Sequence, residues 1–235
     1  MDIAVGITTW KKRINETYFK VCLFRLIAQQ QTKLNYKVCL VLSTDEFPNK
    51  NTDIPNWITE MEKVCDNFEV IWVKENTRAY KKLDPVMEKY PNVPVITTDD
   101  NKLLTKDAIQ KLYDEYTKRK CILSCSNAWG FIDRTKEFIT GTPRLYPPNS
   151  LYQLDVNYFM KDFLGLQADV FNAIRAVLNN TPAFKLSYNL VEHYYKESEK
   201  TALRNEYNKT NWRLLQRDFL NKHKELKAIW DKNIK

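Results

Sequence analysis

Apolar and polar positions follow two periods along this chain. Up to about residue 125, short apolar runs of strand length alternate with stretches in which apolar residues recur every three or four positions. The strand-like runs are Asp2–Thr9 (with Ile3, Val5 and Ile7 alternating), Lys37–Ser43, Phe68–Val73, the segment around Val93, Val95 and Ile96, and Cys121–Ser126. Between them lie helical faces: Phe19, Cys22, Leu23, Leu26 and Ile27; a short helix over Trp57–Val64; Leu83, Val86, Met87 and Tyr90; and Ile109, Leu112, Tyr113 and Tyr116. Asn15, Asp84 and Thr105 stand where helix caps are expected, with Pro85 at a first helical position. This alternation predicts an α/β fold, a mostly parallel sheet with helices on both faces.

Beyond that point the pattern loosens. Segments AWGFID and KEFIT read as short strands around Arg134, and Pro143–Tyr152 reads as a loop rich in Pro and Tyr. A helix over Asp169–Leu178 and a strand PAFKLS follow, and from Ser198 onward the chain reads as a long helix carrying Trp212, Leu215, Phe219 and Trp230 among lysines. Leu220, Lys224, Lys227 and Trp230 allow that helix either to lie on an anionic membrane face or to pack on the domain with solvated lysines.

Composition narrows the function classes. The net charge of +8 favours anionic partners such as nucleotide phosphates, an anionic membrane or nucleic acid, but no recognised nucleic-acid motif is present. No apolar run is long enough to span a bilayer, and MDIAVGITTWKKR lacks the order of a signal peptide, so a cytoplasmic location is expected. The five cysteines sit mostly in apolar runs and read as reduced core thiols. The four glycines, Gly6, Gly130, Gly141 and Gly165, have no P-loop or dinucleotide spacing. A bound nucleotide would then need a cation and basic side chains for its phosphates.

Candidate chemistry gathers at strand ends. Pro91–Asn101 runs from an apolar strand into Asp99, Asp100 and Asn101, hard oxygen donors of the kind that hold Mg²⁺ or Mn²⁺ beside phosphates. The same residues also suit a solvated turn. Thr8, Thr9, Trp10 and Arg13 follow the first strand and suit either a base and phosphates or a solvated basic turn.

Four segments, ITTWKKRI, TRAYKKLDPVMEKYP, VITTDDN and FITGTPRLYPPNSLY, resemble in this order a GT-A fold glycosyltransferase, more narrowly the bacterial enzymes of surface-polysaccharide assembly. The resemblance implies one domain over residues 1–197, with a nucleotide-sugar-binding half (1–126) and an acceptor half (127–197), followed by a helical segment (198–235). It implies a DXD-like metal motif at Asp99 and Asn101, with Asp100 between them, holding Mn²⁺ or Mg²⁺ on the diphosphate of a sugar nucleotide, with a UDP-linked sugar the expected donor. Asn101 departs from the pattern, which implies either a lower metal affinity or basic residues taking over part of the charge neutralisation. Thr8, Thr9, Trp10 and Arg13 match the base and ribose site, and Asn76 and Lys82 match the segment that helps hold the nucleotide. Asp169 matches one of an acidic pair, its neighbour being Ala168. It serves either as the base for an acceptor hydroxyl or as a helix cap, with Asp155 the substitute. His193 serves as a further metal ligand or as packing. The implied activity is metal-assisted transfer of a sugar to a glycan or lipid-linked acceptor, inverting or retaining. A degenerate domain that binds without turnover and a basic nucleic-acid binder are the other readings.

Overall fold

A computed structural model of the chain describes residues 1–125, 131–133, 136–137, 141–157, 168–201 and 218–234. Strands β1 (Ile3–Ile7), β2 (Tyr36–Ser43), β3 (Phe68–Val73), β4 (Val95–Thr97), β5 (Lys102–Leu104), β6 (Ile122–Ser124), β7 (Phe131–Asp133), β8 (Lys136–Glu137), β9 (Arg144–Tyr146), β10 (Ala183–Lys185) and β11 (Val191–Tyr194) alternate with helices α1 (Thr17–Ala28), α2 (Asn56–Val64), α3 (Asp84–Lys89), α4 (Ala108–Arg119), α5 (Ala168–Leu178) and α6 (Lys224–Ile234). Among the described residues the main sheet has the order β10-β6-β9-β4-β1-β2-β3. All its pairings are parallel except those of β9. The α/β expectation therefore holds.

The alternation along β1 and β2 explains the two-sided core. Ile3, Val5, Ile7, Val38, Leu40 and Leu42 point into one apolar cluster with Phe19 and Leu23 of α1 and Ile109 and Leu112 of α4. Ala4, Cys39 and Val41 point the other way, onto Leu83 and Val86 at the start of α3. Strands covered on both faces need near-continuous apolar sequence, and these have it. On the α3 side the approach is close: a Cβ on Gly6 would lie 1.9 Å from the Lys82 carbonyl oxygen and 3.3 Å from Val86 Cγ2. Only glycine at position 6 lets the Lys82 backbone lie against β1.

Several local expectations are corrected. Glu16, not Asn15, occupies the cap position of α1, and it makes no side-chain cap. Asp84 is the first residue of α3 rather than its cap, and both its carboxylate oxygens accept from Arg175 Nη1 of α5, at 2.7 and 2.9 Å. Thr105 donates its hydroxyl to Asp107 Oδ1 (2.7 Å), and Asp107 stands at the cap position of α4. Pro143–Tyr152 is not all loop: Arg144–Tyr146 forms β9, an antiparallel strand in the interior of the sheet between β4 and β6. The strand β11 was hidden by its polar letters, and it pairs with β5.

The C-terminal region is not one helix. Lys196–Thr201 is a 3-10 turn, residues 218–222 are helical, and α6 begins after a break at His223. Phe219, Leu220, Leu226 and Trp230 are buried against Tyr80, Phe171 and Ile174. That apolar face is covered by α5 and Tyr80, while Lys224 is exposed and Lys227 half-buried. No helix among the described residues is long and apolar enough to cross a membrane. All five cysteines are free, with Cys22, Cys39, Cys121 and Cys125 buried. Residues 126–130, 134–135 and 138–140 around the expected strand pair, and Trp212 and Leu215, lie outside the described residues.

Candidate active site

The order β3-β2-β1-β4 reverses direction at β1, so the carboxyl ends of β1 and β4 flank a topological switch point. Three short connections meet there: Thr8–Arg13 after β1, Arg78–Lys82 before α3, and Thr98–Asn101 between β4 and β5. Because β9 runs antiparallel, its first residue, Arg144, sits at the same edge, beside Thr97 and Ser124.

The centre of the site is Asp99. Its Oδ1 accepts from Lys82 Nζ at 2.5 Å, and its Oδ2 lies 3.0 Å from Lys102 Nζ. Oδ2 also accepts from the Thr142 hydroxyl at 2.7 Å, and Lys102 in turn donates to that hydroxyl at 2.7 Å. Burial alone would push the Asp99 carboxyl up, but Lys102 and Lys82, with the Thr142 hydroxyl, hold it well below the usual carboxylate range. Two ammonium groups on one carboxylate leave a local charge of +1. The Asp99 side chain is 33% exposed and its lysine partners are 10% and 19% exposed, so all three reach solvent in part.

Asp169 lies next to this cluster. It is the second residue of α5, and its Oδ1 is 3.3 Å from Arg144 Nη2 while Gly141 N donates to Oδ2 at 3.4 Å. The helix-cap role is thus excluded, since the carboxylate turns back onto the 141–144 turn. Arg144 is 1% exposed and also donates to Tyr146 Oη (2.7 Å) and to the Gly141 carbonyl (3.0 Å). The segment Gly141–Arg144 therefore links the two aspartates, with Thr142 on Asp99 and Arg144 on Asp169. Gln167, beside the candidate base, lies outside the described residues.

Other expected site residues are engaged differently. Thr8 donates to the Val41 carbonyl at 2.7 Å, and Thr9 to Asp100 Oδ2 at 2.9 Å. Arg13 directs Nη1 to Asp100 Oδ1 (2.7 Å), Nη2 to the Ser198 carbonyl (2.6 Å) and Nε to Thr201 Oγ1 (3.1 Å). With its fork turned inward, Arg13 fastens the 196–201 turn across the switch point instead of facing a nucleotide. Asp100 is 6% exposed; burial pushes its carboxyl above the usual range, an effect that Arg13 and the Thr9 hydroxyl oppose and do not cancel. Trp10 carries Lys12 over its ring at 5.0 Å, and its buried Nε1 has no hydrogen-bond partner among the described residues. Asn76 accepts from Arg78 N (3.1 Å) and Lys81 Nζ (2.8 Å), so it organises its own loop.

Asp155 is elsewhere. It is exposed, accepts from Asn157 N at 2.8 Å, and lines a separate cleft of about 380 Å³ with Tyr152, Phe171, Phe219 and Leu226. The substitute base is therefore not part of the Asp99 site.

The expected metal set does not assemble. Asn101 directs its side-chain Nδ2 to Ser198 Oγ at 2.7 Å, and its backbone carbonyl accepts from Tyr195 N. His193 is exposed on β11, its ring set edge-on against Tyr195 at 4.5 Å. Among the described residues no three His, Cys, Asp or Glu side chains converge. A dication on Asp99 would also meet two ammonium groups, each repelling it by roughly 8 kcal/mol at about 4 Å and an effective dielectric of about 20. The residues present fit an anion better than they fit Mn²⁺ or Mg²⁺. Lys102, Thr142 and Arg144 were not expected here, although each lies within or directly after a segment that carries the resemblance.

No family model matches the chain, and no curated protein matches its sequence. Solved structures match its fold. S. aureus TarS 1-349 is 18% identical with a TM-score of 0.53, over 86% of this chain and 62% of that one. The same protein in complex with UDP is 17% identical with a TM-score of 0.55, over 83% and 60%. The 4-diphosphocytidyl-2C-methyl-D-erythritol synthase of Anaerococcus prevotii DSM 20548 is 11% identical with a TM-score of 0.54, over 87% and 95%. The chain spans about three fifths of the TarS fragment. It resembles the GT-A, Rossmann-like proteins expected from its four segments, and the resemblance is one of fold.

Proposed function

We propose that this protein is a glycosyltransferase that binds a nucleotide-linked sugar at the Asp99 cluster and moves the sugar to a hydroxyl of a glycan or lipid-linked glycan. The observation that carries this reading is the meeting of Asp99, Lys82 and Lys102 with Asp169 across the Gly141–Arg144 turn at the switch point. Cationic donors for a diphosphate and a carboxylate for a hydroxyl proton then lie on either side of one short segment. In this reading Asp169 takes the proton of the acceptor hydroxyl as its oxygen attacks the anomeric carbon, the bond from that carbon to the diphosphate oxygen breaks, and the nucleoside diphosphate leaves with its charge facing Lys82 and Lys102. Arg144 and the Gly141 N–H orient the Asp169 carboxylate for that transfer. In this reading Trp10, which follows β1, supplies an aromatic surface for the nucleoside.

A reading as a binding domain without turnover is favoured by one observation: Asn101, at the second position of the DXD-like motif, is held on Ser198. A thermal-shift screen of sugar nucleotides followed by a donor-hydrolysis assay separates the two. The UDP in one TarS structure makes UDP-linked sugars the first to test. A donor at 100 times its Kd raises stability by about 2.7 kcal/mol, which a melting curve resolves. Stabilisation with slow hydrolysis supports transfer, and stabilisation with no hydrolysis supports binding alone. No stabilisation by any sugar nucleotide contradicts both.

A further inference from the structure

We infer that Lys82 and Lys102 do the work of the divalent cation: they hold the diphosphate of the donor directly, and binding needs no metal ion. The inference rests on the nucleotide-sugar reading above and specifies how that site meets its ligand. Its first support is donor inventory. An ammonium group carries three N–H donors. Lys82 Nζ spends one on Asp99 Oδ1, and Lys102 Nζ spends two, on Asp99 Oδ2 and the Thr142 hydroxyl. Three N–H donors on two fixed cations are left to meet phosphate oxygens.

The second support is the part played by Asp99. Its carboxylate is tied by Lys82, Lys102 and Thr142, so it acts as a brace that sets the spacing of the two ammonium groups. The third is placement. Lys82 is delivered by the backbone packed on Gly6, and Lys102 follows directly from the turn after β4. Both therefore reach Asp99 at the carboxyl edge of β1 and β4, the place where ligands of open α/β sheets bind. Of the other two residues of the motif, Asp100 spends both its oxygens on Arg13 and Thr9, and Asn101 is turned by its amide nitrogen onto Ser198.

Calorimetry on the full chain tests this with UDP, CDP, GDP and ADP, each titrated once in EDTA and once in Mn²⁺, and with inorganic pyrophosphate in EDTA. At least one nucleoside diphosphate is expected to bind in EDTA with a Kd within about threefold of its Mn²⁺ value. Lys82→Met and Lys102→Met each weaken that binding by about tenfold or more, the worth of a charged hydrogen bond. Lys102→Arg, which keeps the charge, restores a large part of it in a protein with the same circular dichroism. If either methionine variant does not fold, the EDTA comparison on the unaltered chain decides alone. Binding that vanishes in EDTA and returns with Mn²⁺ overturns the inference while leaving the nucleotide-sugar reading standing. Absence of binding by every diphosphate in both conditions overturns that reading, and the inference falls with it.

Discussion

Asp169→Asn is expected to lower sugar transfer by about two to four orders of magnitude, the usual contribution of a positioned general base. The substitution keeps the size of the side chain and removes its basicity. The one amide oxygen keeps either the Gly141 N contact of Oδ2 or the Arg144 Nη2 contact of Oδ1, and the Arg144–Gly141 and Thr142–Asp99 hydrogen bonds still hold the turn that carries Thr142. Donor binding, which depends on Lys82, Asp99 and Lys102, is therefore expected to change little, and the loss falls on kcat rather than on donor KM. Asp155→Asn supplies the internal comparison. Asp155 lies in the separate cleft with Phe219 and Leu226, so its loss leaves transfer from the donor unchanged. Full turnover in Asp169→Asn would show that no base is needed at this position and would remove the role assigned to it.

The second large effect concerns stability. Arg13→Leu is expected to cost about 3–5 kcal/mol, because it strands a buried carboxylate. Asp100 is 6% exposed and loses its 2.7 Å ion pair, and the Ser198 carbonyl and Thr201 hydroxyl each lose the Arg13 donor. For a chain of this length the melting temperature falls on the order of 10 °C. The double variant Arg13→Leu, Asp100→Leu is expected to recover much of the loss, since an apolar pair leaves no charge behind. Denaturant unfolding of the two variants measures both quantities. An Arg13→Leu protein as stable as the parent, with weakened nucleotide binding instead, would return Arg13 to the ligand and contradict its role as a fastening.

What the sequence revealed follows from length and period. β1, β2, β3 and the faces of α1 and α4 were legible because each repeats its apolar period several times. β9 was not, because it is three residues long, begins with a buried arginine and is bracketed by Pro143 and Pro147. Nothing in those letters separates an interior strand from a loop; only the pairing of Arg144 with Thr97 and Ser124 does. β11 failed for a similar reason, since Glu192 and His193 face solvent on a short edge pair.

The candidate site was legible in part. Asp99, Lys82 and Asp169 were singled out, and the fold brings them to one edge. Their partners were not foreseen, because an ion pair between residues 82 and 99, or 144 and 169, leaves no mark at any fixed spacing. The metal set failed on the same ground. Asp99, Asp100 and Asn101 are adjacent in sequence, yet their side chains go to Lys82, Arg13 and Ser198 respectively. Adjacent residues in a turn point in different directions, so three oxygen donors in a row do not make a coordination sphere.

The most direct measurement is a crystal structure of the chain with the nucleoside diphosphate that stabilises it most, grown in EDTA. The account predicts diphosphate oxygens at about 3 Å from both Lys82 Nζ and Lys102 Nζ, hydrogen-bond distance, with Asp99 still braced between them. A diphosphate bound away from both lysines, in the cleft beside Asp155 or anywhere else on the surface, would contradict it.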